Sequence, residues 1–151
     1  MKSIVDKLIV KYKSKPAHND SDISDSDLLT LIKAARLAPS ADNSQIWRFL
    51  IVRDRERIED VLKIIGHNER NYGAMIISLA APFFIRHARR EQPFYAIDVP
   101  ISITHICLQA IELNIDVDIH FVFENEELKD RLNIPAEFKS VAVLGLNKYA
   151  D

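Results

Sequence analysis

The chain has 151 residues, 48% of them hydrophobic and 28% charged, with a formal net charge of −2 at pH 7. Such a chain is long enough to bury about two thirds of its unfolded surface, so residues 1–151 are expected to form one domain, and neither disorder nor a fibrous class is indicated. Charges of both signs are interspersed, which gives no case for nucleic acid, and the longest mainly apolar stretch, Ala74 to Ile85, is about half the roughly 20 residues needed to span a bilayer.

Met1 to Tyr12 places Ile4, Val5, Leu8 and Ile9 at helical spacing without a long apolar core or a small-residue cleavage site. That pattern predicts an amphipathic helix rather than a secretory signal. The single cysteine, Cys107, can form neither an internal disulfide nor a thiolate cluster, and a reducing cytoplasm is the expected setting. Pro16 and the polar run His18 to Ser21 stop the first helix. Ser24 then reads as an N-cap, with Asp25 and Asp27 in the first turn and Leu28, Leu31, Ile32 and Ala35 as the buried stripe of a helix ending near Leu37.

Ala38 to Ile46 is a polar loop, followed by a mostly buried strand in which Trp47, Phe49 and Ile51 alternate with Arg48, Leu50 and Val52. Arg55 to Ile65 is a third helix stopped by Gly66. Asn68 to Ala80 fits a helix and an early strand about equally, and Pro82 to Arg86 reads as a strand. Tyr95 to Leu113 is apolar nearly all round and is expected to be a central buried helix, one that faces a partner subunit. Ile115 to Phe123 reads as a strand, Glu124 to Leu132 as a short helix and Phe138 to Leu144 as the last strand. This order implies one sheet covered by helices on both faces.

Within the loop, Ser40, Asn43 and Gln45 offer side-chain donors and acceptors where the polar edge of a heterocycle could sit, although turn formers here also suit a purely structural connection. Lys11, Lys13 and Lys15 fit an anion site or a solvated basic patch equally well. His105 and Cys107 read as packed core groups, and His67, His87 and His120 are too scattered along the chain to suggest a metal site.

Ala34 to Asp54, AARLAPSADNSQIWRFLIVRD, resembles the signature of the nitroreductase flavoprotein family, in which a helix ends in APSxxNxQPWRF and runs into the first strand. The likeness continues beyond it. Lys11 to Lys15 sits where the family has a basic RRSxR loop, and Asn68-Glu69-Arg70-Asn71 is similar to a family turn reading NERK. Asp98 to Ile115 is similar to the long central helix, Phe123 to Pro135 to a short helix closing in LxIP, and Val141 to Gly145 to the last strand.

The resemblance implies an α+β fold of three layers, with a mixed, mainly antiparallel sheet between helices. It implies a homodimer that binds FMN and passes hydride from NAD(P)H to a quinone, nitro compound or similar small-molecule electron acceptor. Lys11, Lys13 and Lys15 would then hold the flavin phosphate, and Asn68, Arg70 and Asn71 the pyrimidine edge. Pro39, Ser40, Asn43 and Gln45 would reach the flavin from the second subunit. No catalytic side chain is implied, because the flavin carries the hydride.

Several positions depart from that pattern. Lysines replace the two arginines and the serine of the phosphate loop, and Asn71 stands where a lysine would offset charge on reduced flavin, with Arg70 beside it. Phe121 and Val122 occupy a Gly-Gly pair, and Asn114-Ile115-Asp116 a Gly-Leu-Gly turn. Ending at Asp151, the chain offers only Lys148 in place of a C-terminal phosphate contact, and no arm around the partner. Weakened FMN binding is the expectation. The rival readings are a flavin-free binding or interaction module on the same dimer scaffold, and a flavin carrier or sensor without turnover.

Overall fold

Helix α1 (Asp25–Arg36) starts where its sequence supplies a cap: the Ser24 hydroxyl accepts from the Asp27 amide at 3.1 Å. Leu28, Leu31 and Ala35 are its buried stripe. The computed structural model describes residues 22–81 and 92–149, together with residues 6, 18, 19, 88 and 89. Of the expected first helix only Asp6 is described, and it is helical; the strand expected over Pro82 to Arg86 lies outside the described residues.

Strand β1 (His18–Asn19) precedes α1, and β2 (Trp47–Val52) follows the loop. Helix α2 (Arg55–Ile65) is capped by Asp54, which accepts from the Arg57 amide at 3.0 Å, and ends at Gly66, whose φ of 75° is the left-handed value that glycine adopts without a Cβ clash. The ambiguous stretch after it becomes strand β3 (Ala74–Ala80), buried at every residue. Its lack of alternation follows from having helices on both faces.

A two-residue pair, β4 (Ala88–Arg89) with β5 (Gln92–Pro93), leads into helix α3 (Tyr95–Glu112). Then come β6 (Ile115–Phe121), α4 (Glu126–Arg131) and β7 (Lys139–Tyr149). Helix α4 begins at an Asn125 cap, two residues later than the glutamate run suggests. Glu124 has φ 55° outside the helix and accepts from Tyr95 and Lys139, each at 3.1 Å.

The main sheet runs β2, β3, β7, β6, with β1 joining the far end of β7 at Lys148 and Tyr149; every pairing among the described residues is antiparallel. One face carries α1 and α3 over Ile76, Val117, Leu144 and Leu146. The other carries α2 and α4 over Met75, Ile77 and Val143. One sheet covered by helices on both faces is what the order of elements implies, and the three-layer α+β fold is what the resemblance implies; the described pairings are all antiparallel where a mixed, mainly antiparallel sheet was expected.

Gly145, at the centre of β7, lies against the ring of buried Tyr72, and a Cβ there would collide with three of that ring's carbons. Tyr72 is pinned by its hydroxyl and cannot swing clear, so Gly145→Ala should destabilise the fold by about 1–3 kcal/mol. Chemical denaturation of the variant, compared with the same change in a Tyr72→Ala background where the cost should vanish, measures this.

Candidate functional site

The loop before β2 is shaped by backbone that few side chains favour. Asp42, Asn43 and Gln45 have φ of 50°, 53° and 48°, within and beside a 3₁₀ turn over Ala41–Asn43. Asp and Asn visit this region readily but Gln does so at a cost, so other contacts must hold it. The Ser40 hydroxyl accepts from the Gln45 amide at 3.0 Å, and the Gln45 side-chain amide donates to Asn43 Oδ1 at 3.2 Å. From below, Asp98 in the first turn of α3 accepts from the Ala41 amide at 3.1 Å. Asp98 is only 3% exposed, and burial raises its pKa against the opposing pull of that amide.

Gln45 borders a cleft of about 510 Å³ between α1 and β2, with Leu29, Ile32, Trp47, Phe49 and Ile51 as apolar walls and Arg36, Ser44 and Arg48 as polar ones. Pro39, Asn43 and Gln45 are exposed and Ser40 is half-buried, so the loop presents its amides outward.

The turn after α2 forms a second site. Asn68, Arg70 and Asn71, with Arg55, Glu59, Leu62 and Lys63, line a cleft of about 280 Å³. Asn147, 2% exposed near the end of β7, tethers this turn: its amide donates to the Asn71 carbonyl at 2.9 Å and its Oδ1 accepts from the Gly73 amide at 3.1 Å. Behind the turn, the Tyr72 hydroxyl donates to Asp118 at 2.6 Å and lies 3.2 Å from His120 Nε2. Arg70 Nη1 is 3.5 Å from the same Asp118 oxygen, and the His67 and His120 rings stand 4.4 Å apart. Burial, reinforced by Asp118, keeps the Tyr72 phenol protonated far above its ordinary range.

The residues singled out in the sequence thus form two groups that do not meet within one chain. The loop sits at the start of β2 and the 68–71 turn beside its end, because Trp47 pairs with Ala80 and Val52 with Met75. Five steps of strand separate them by roughly 17 Å, and their clefts open on opposite faces of the sheet, one against α1 and the other against α2. Lys11, Lys13 and Lys15 lie outside the described residues.

Phe121 and Val122 point opposite ways, as strand alternation requires. Val122 packs on the core under α2 and α4, while the Phe121 ring, 55% exposed, stacks on Phe123 at 5.7 Å. Neither lines either cleft. Lys148 is committed elsewhere: it ion-pairs with Asp27 at 2.7 Å and donates to the Leu113 carbonyl at 3.3 Å, and its contact lowers the Asp27 pKa. His105 bonds the Ala34 carbonyl at 3.2 Å, and burial pushes the Cys107 thiol up to about 11, so both act as packing groups. Among the described residues no group of three or more His, Cys, Asp or Glu side chains is placed to hold a metal ion, and no helix is long and apolar enough to cross a membrane.

Asp98, Asn147 and Asp118 are the supporting residues that sequence reasoning passed over as parts of regular elements. The available signal was an ionisable or amide side chain inside a run that is otherwise apolar, as in VAVLGLNKY.

The three-layer α+β sheet and its polar loop define a fold shared with many solved proteins. Residues 14–146 match the nitroreductase family model, and the chain belongs to that family. A protein of Archaeoglobus fulgidus, provisionally named an NADH dehydrogenase/NAD(P)H nitroreductase, is 32% identical over 146 residues, covering 93% of this chain and 82% of its own. A nitroreductase family protein of Clostridium novyi superposes with a TM-score of 0.85 at 24% identity, over 99% of this chain and 87% of the other. An FMN-dependent nitroreductase of Clostridium difficile gives 0.78 at 19% identity, over 93% and 86%.

Two outcomes follow for the supports of the site. Asp98→Ala removes the loop's buried acceptor and should cost about 1–3 kcal/mol, whereas Asp98→Asn keeps an oxygen for the Ala41 amide and should cost much less; thermal melts and amide exchange in residues 40–45 distinguish them. The second concerns acid. Burial holds the His120 imidazole below its ordinary 6.5, partly opposed by Asp118. The unfolded chain therefore binds a proton at a pH where the folded chain does not, and the stability His120 contributes is present above about pH 6.5 and lost as pH falls through the lowered value. The Tm should drop between neutral and mildly acid pH, and drop less in His120→Gln.

Proposed function

We propose that this chain acts as a single domain and is the protomer of a homodimeric, cytoplasmic, FMN-dependent oxidoreductase. It takes hydride from NAD(P)H and delivers it to a small-molecule electron acceptor such as a quinone or nitro compound. The observation that carries the reading is the separation of the two donor groups. A loop of amides and a turn bearing Asn68, Arg70 and Asn71 sit at opposite ends of β2, so one ligand touching both requires the loop of one protomer and the turn of its partner, an arrangement a twofold axis supplies twice. The exposed apolar side chains of α3, Ile97 and Leu108, at 46% and 43%, provide surface for such an interface.

The donor chemistry fits a flavin. Asn68 and Arg70 offer N–H groups to carbonyl and ring-nitrogen acceptors of a pyrimidine edge, and Ser40, Asn43 and Gln45 offer hydroxyl and amide groups from the other side. The outward turn of Phe121 leaves both clefts clear. Lys11, Lys13 and Lys15 are assigned to the phosphate. FMN, when bound, supplies the hydride-accepting ring, so the chain's own residues are asked to bind, to orient and to exclude water rather than to move protons. The C. difficile relative's FMN dependence and the NAD(P)H in the A. fulgidus protein's name support these assignments.

Sedimentation with an FMN titration tests the reading. A dimer that takes up one FMN per protomer, more weakly than nanomolar, and is then reduced by NADH or NADPH is the expected result. Mixing Gln45→Glu with Arg70→Glu protein should restore about one quarter of the sites, since half the dimers are mixed and each of those carries one intact loop-and-turn pair. A monomer at micromolar concentration refutes the shared site, and no FMN uptake hands the case to the flavin-free binding module.

A further inference from the structure

We propose that Asp118 is a positioning residue: its carboxylate, itself held by Tyr72, aims the Arg70 guanidinium at the cleft it shares with Asn68 and Asn71. This rests on the flavin reading above and assigns Arg70 to the ring edge rather than to the phosphate.

The arrangement is built from the core outward. Asp118 on β6 pairs in register with Gly145 on β7, and the missing Cβ of Gly145 is what admits the Tyr72 ring beside it. Tyr72 is 2% exposed, and its hydroxyl spends its single proton on Asp118 at 2.6 Å. That bond fixes the carboxylate in one rotamer, with the same oxygen 3.5 Å from Arg70 Nη1 and 3.5 Å from His120 Nε2.

The Arg70 side chain is 42% exposed, and its ion-pair contacts are Asp118 and Glu69. Glu69 competes for it at 4.0 Å, but Glu69 is 70% exposed whereas Asp118 is 30% exposed, so solvent screens Asp118 less. A long cationic side chain left to itself must give up its rotamer freedom when a ligand arrives, and a partner that orders it beforehand removes that cost. Burial keeps the Tyr72 phenol protonated, so its hydroxyl acts as a donor to Asp118.

The test is a double-mutant cycle in flavin affinity, run with two probes. Asp118→Asn keeps an oxygen for the Tyr72 hydroxyl but loses the ion pair, so its Tm should stay close to that of the wild type. It should weaken both FMN and riboflavin about fivefold, by the same factor, because a ring-edge contact does not distinguish the phosphate. Arg70→Ala should weaken both similarly, and the double variant no further. A flavin-free readout accompanies this: the Arg70 Nη–H resonances, on the side that faces Asp118, should exchange slowly in the wild type and rapidly in Asp118→Asn.

Additive losses in the cycle, or a loss for FMN with none for riboflavin, would overturn the positioning role. So would tight wild-type-like binding by Asp118→Asn, and that outcome leaves the flavin reading standing. Absence of flavin uptake by the wild type overturns both.

Discussion

Strand β7 is buried on both faces from Val141 to Asn147, and the placement of the candidate site depends on that constraint. A strand with no solvent on either side must pair its backbone along both edges, and β3 and β6 provide the partners. It must also keep polar side chains to places where they are satisfied. Two such side chains lie toward its ends, and each anchors a loop. Ser140 accepts from the Asn125 amide at 2.8 Å and donates to the Val122 carbonyl at 3.1 Å, fixing the approach to α4. Asn147 fixes the turn that carries Arg70 and Asn71. Both loops are therefore fastened to a strand that is buried on both faces.

The loop of residues 40–45 is fastened differently. Three of its residues have left-handed backbone, and besides its own hydrogen bonds it is held by a buried carboxylate on α3. Burying Asp98 costs desolvation, which explains its raised pKa, and the return is a fixed direction for the exposed amides of Asn43 and Gln45. The loop leading into β2 is thus tied to the first turn of α3. The turn behind α2 is braced by the opposite layer, through Tyr72 and Asp118.

The substitutions that set this chain apart from the family pattern look different in three dimensions. Large residues at the Gly-Gly pair suggest obstruction when read along the sequence, yet Val122 joins the core and Phe121 turns outward onto Phe123. Lys148, considered in the sequence as a phosphate contact, is tied to Asp27 and the end of α3. It joins α1, the end of α3 and β7.

Much of the fold was legible because it depends on local rules. The Ser24 cap, the Asp54 start and Gly66 stop of α2, the alternation of β2 and the length of α3 follow from hydrogen bonding and periodicity within a few residues. The composition of Asn68 to Ala80 could not decide between helix and strand, because a segment buried on both faces has no periodic signature; pairing with β2 and β7 decided it. Likewise the polar loop and the NERN turn could be found by residue type, but not their separation along β2 or the buried side chains that hold them. The sequence alone determined which segments carry polar chemistry and the family to which they belong. Only the tertiary structure decided that Asp98, Asn147 and Asp118 support them and that a single chain keeps the two groups apart, since both facts arise from contacts between residues dozens of positions distant along the chain.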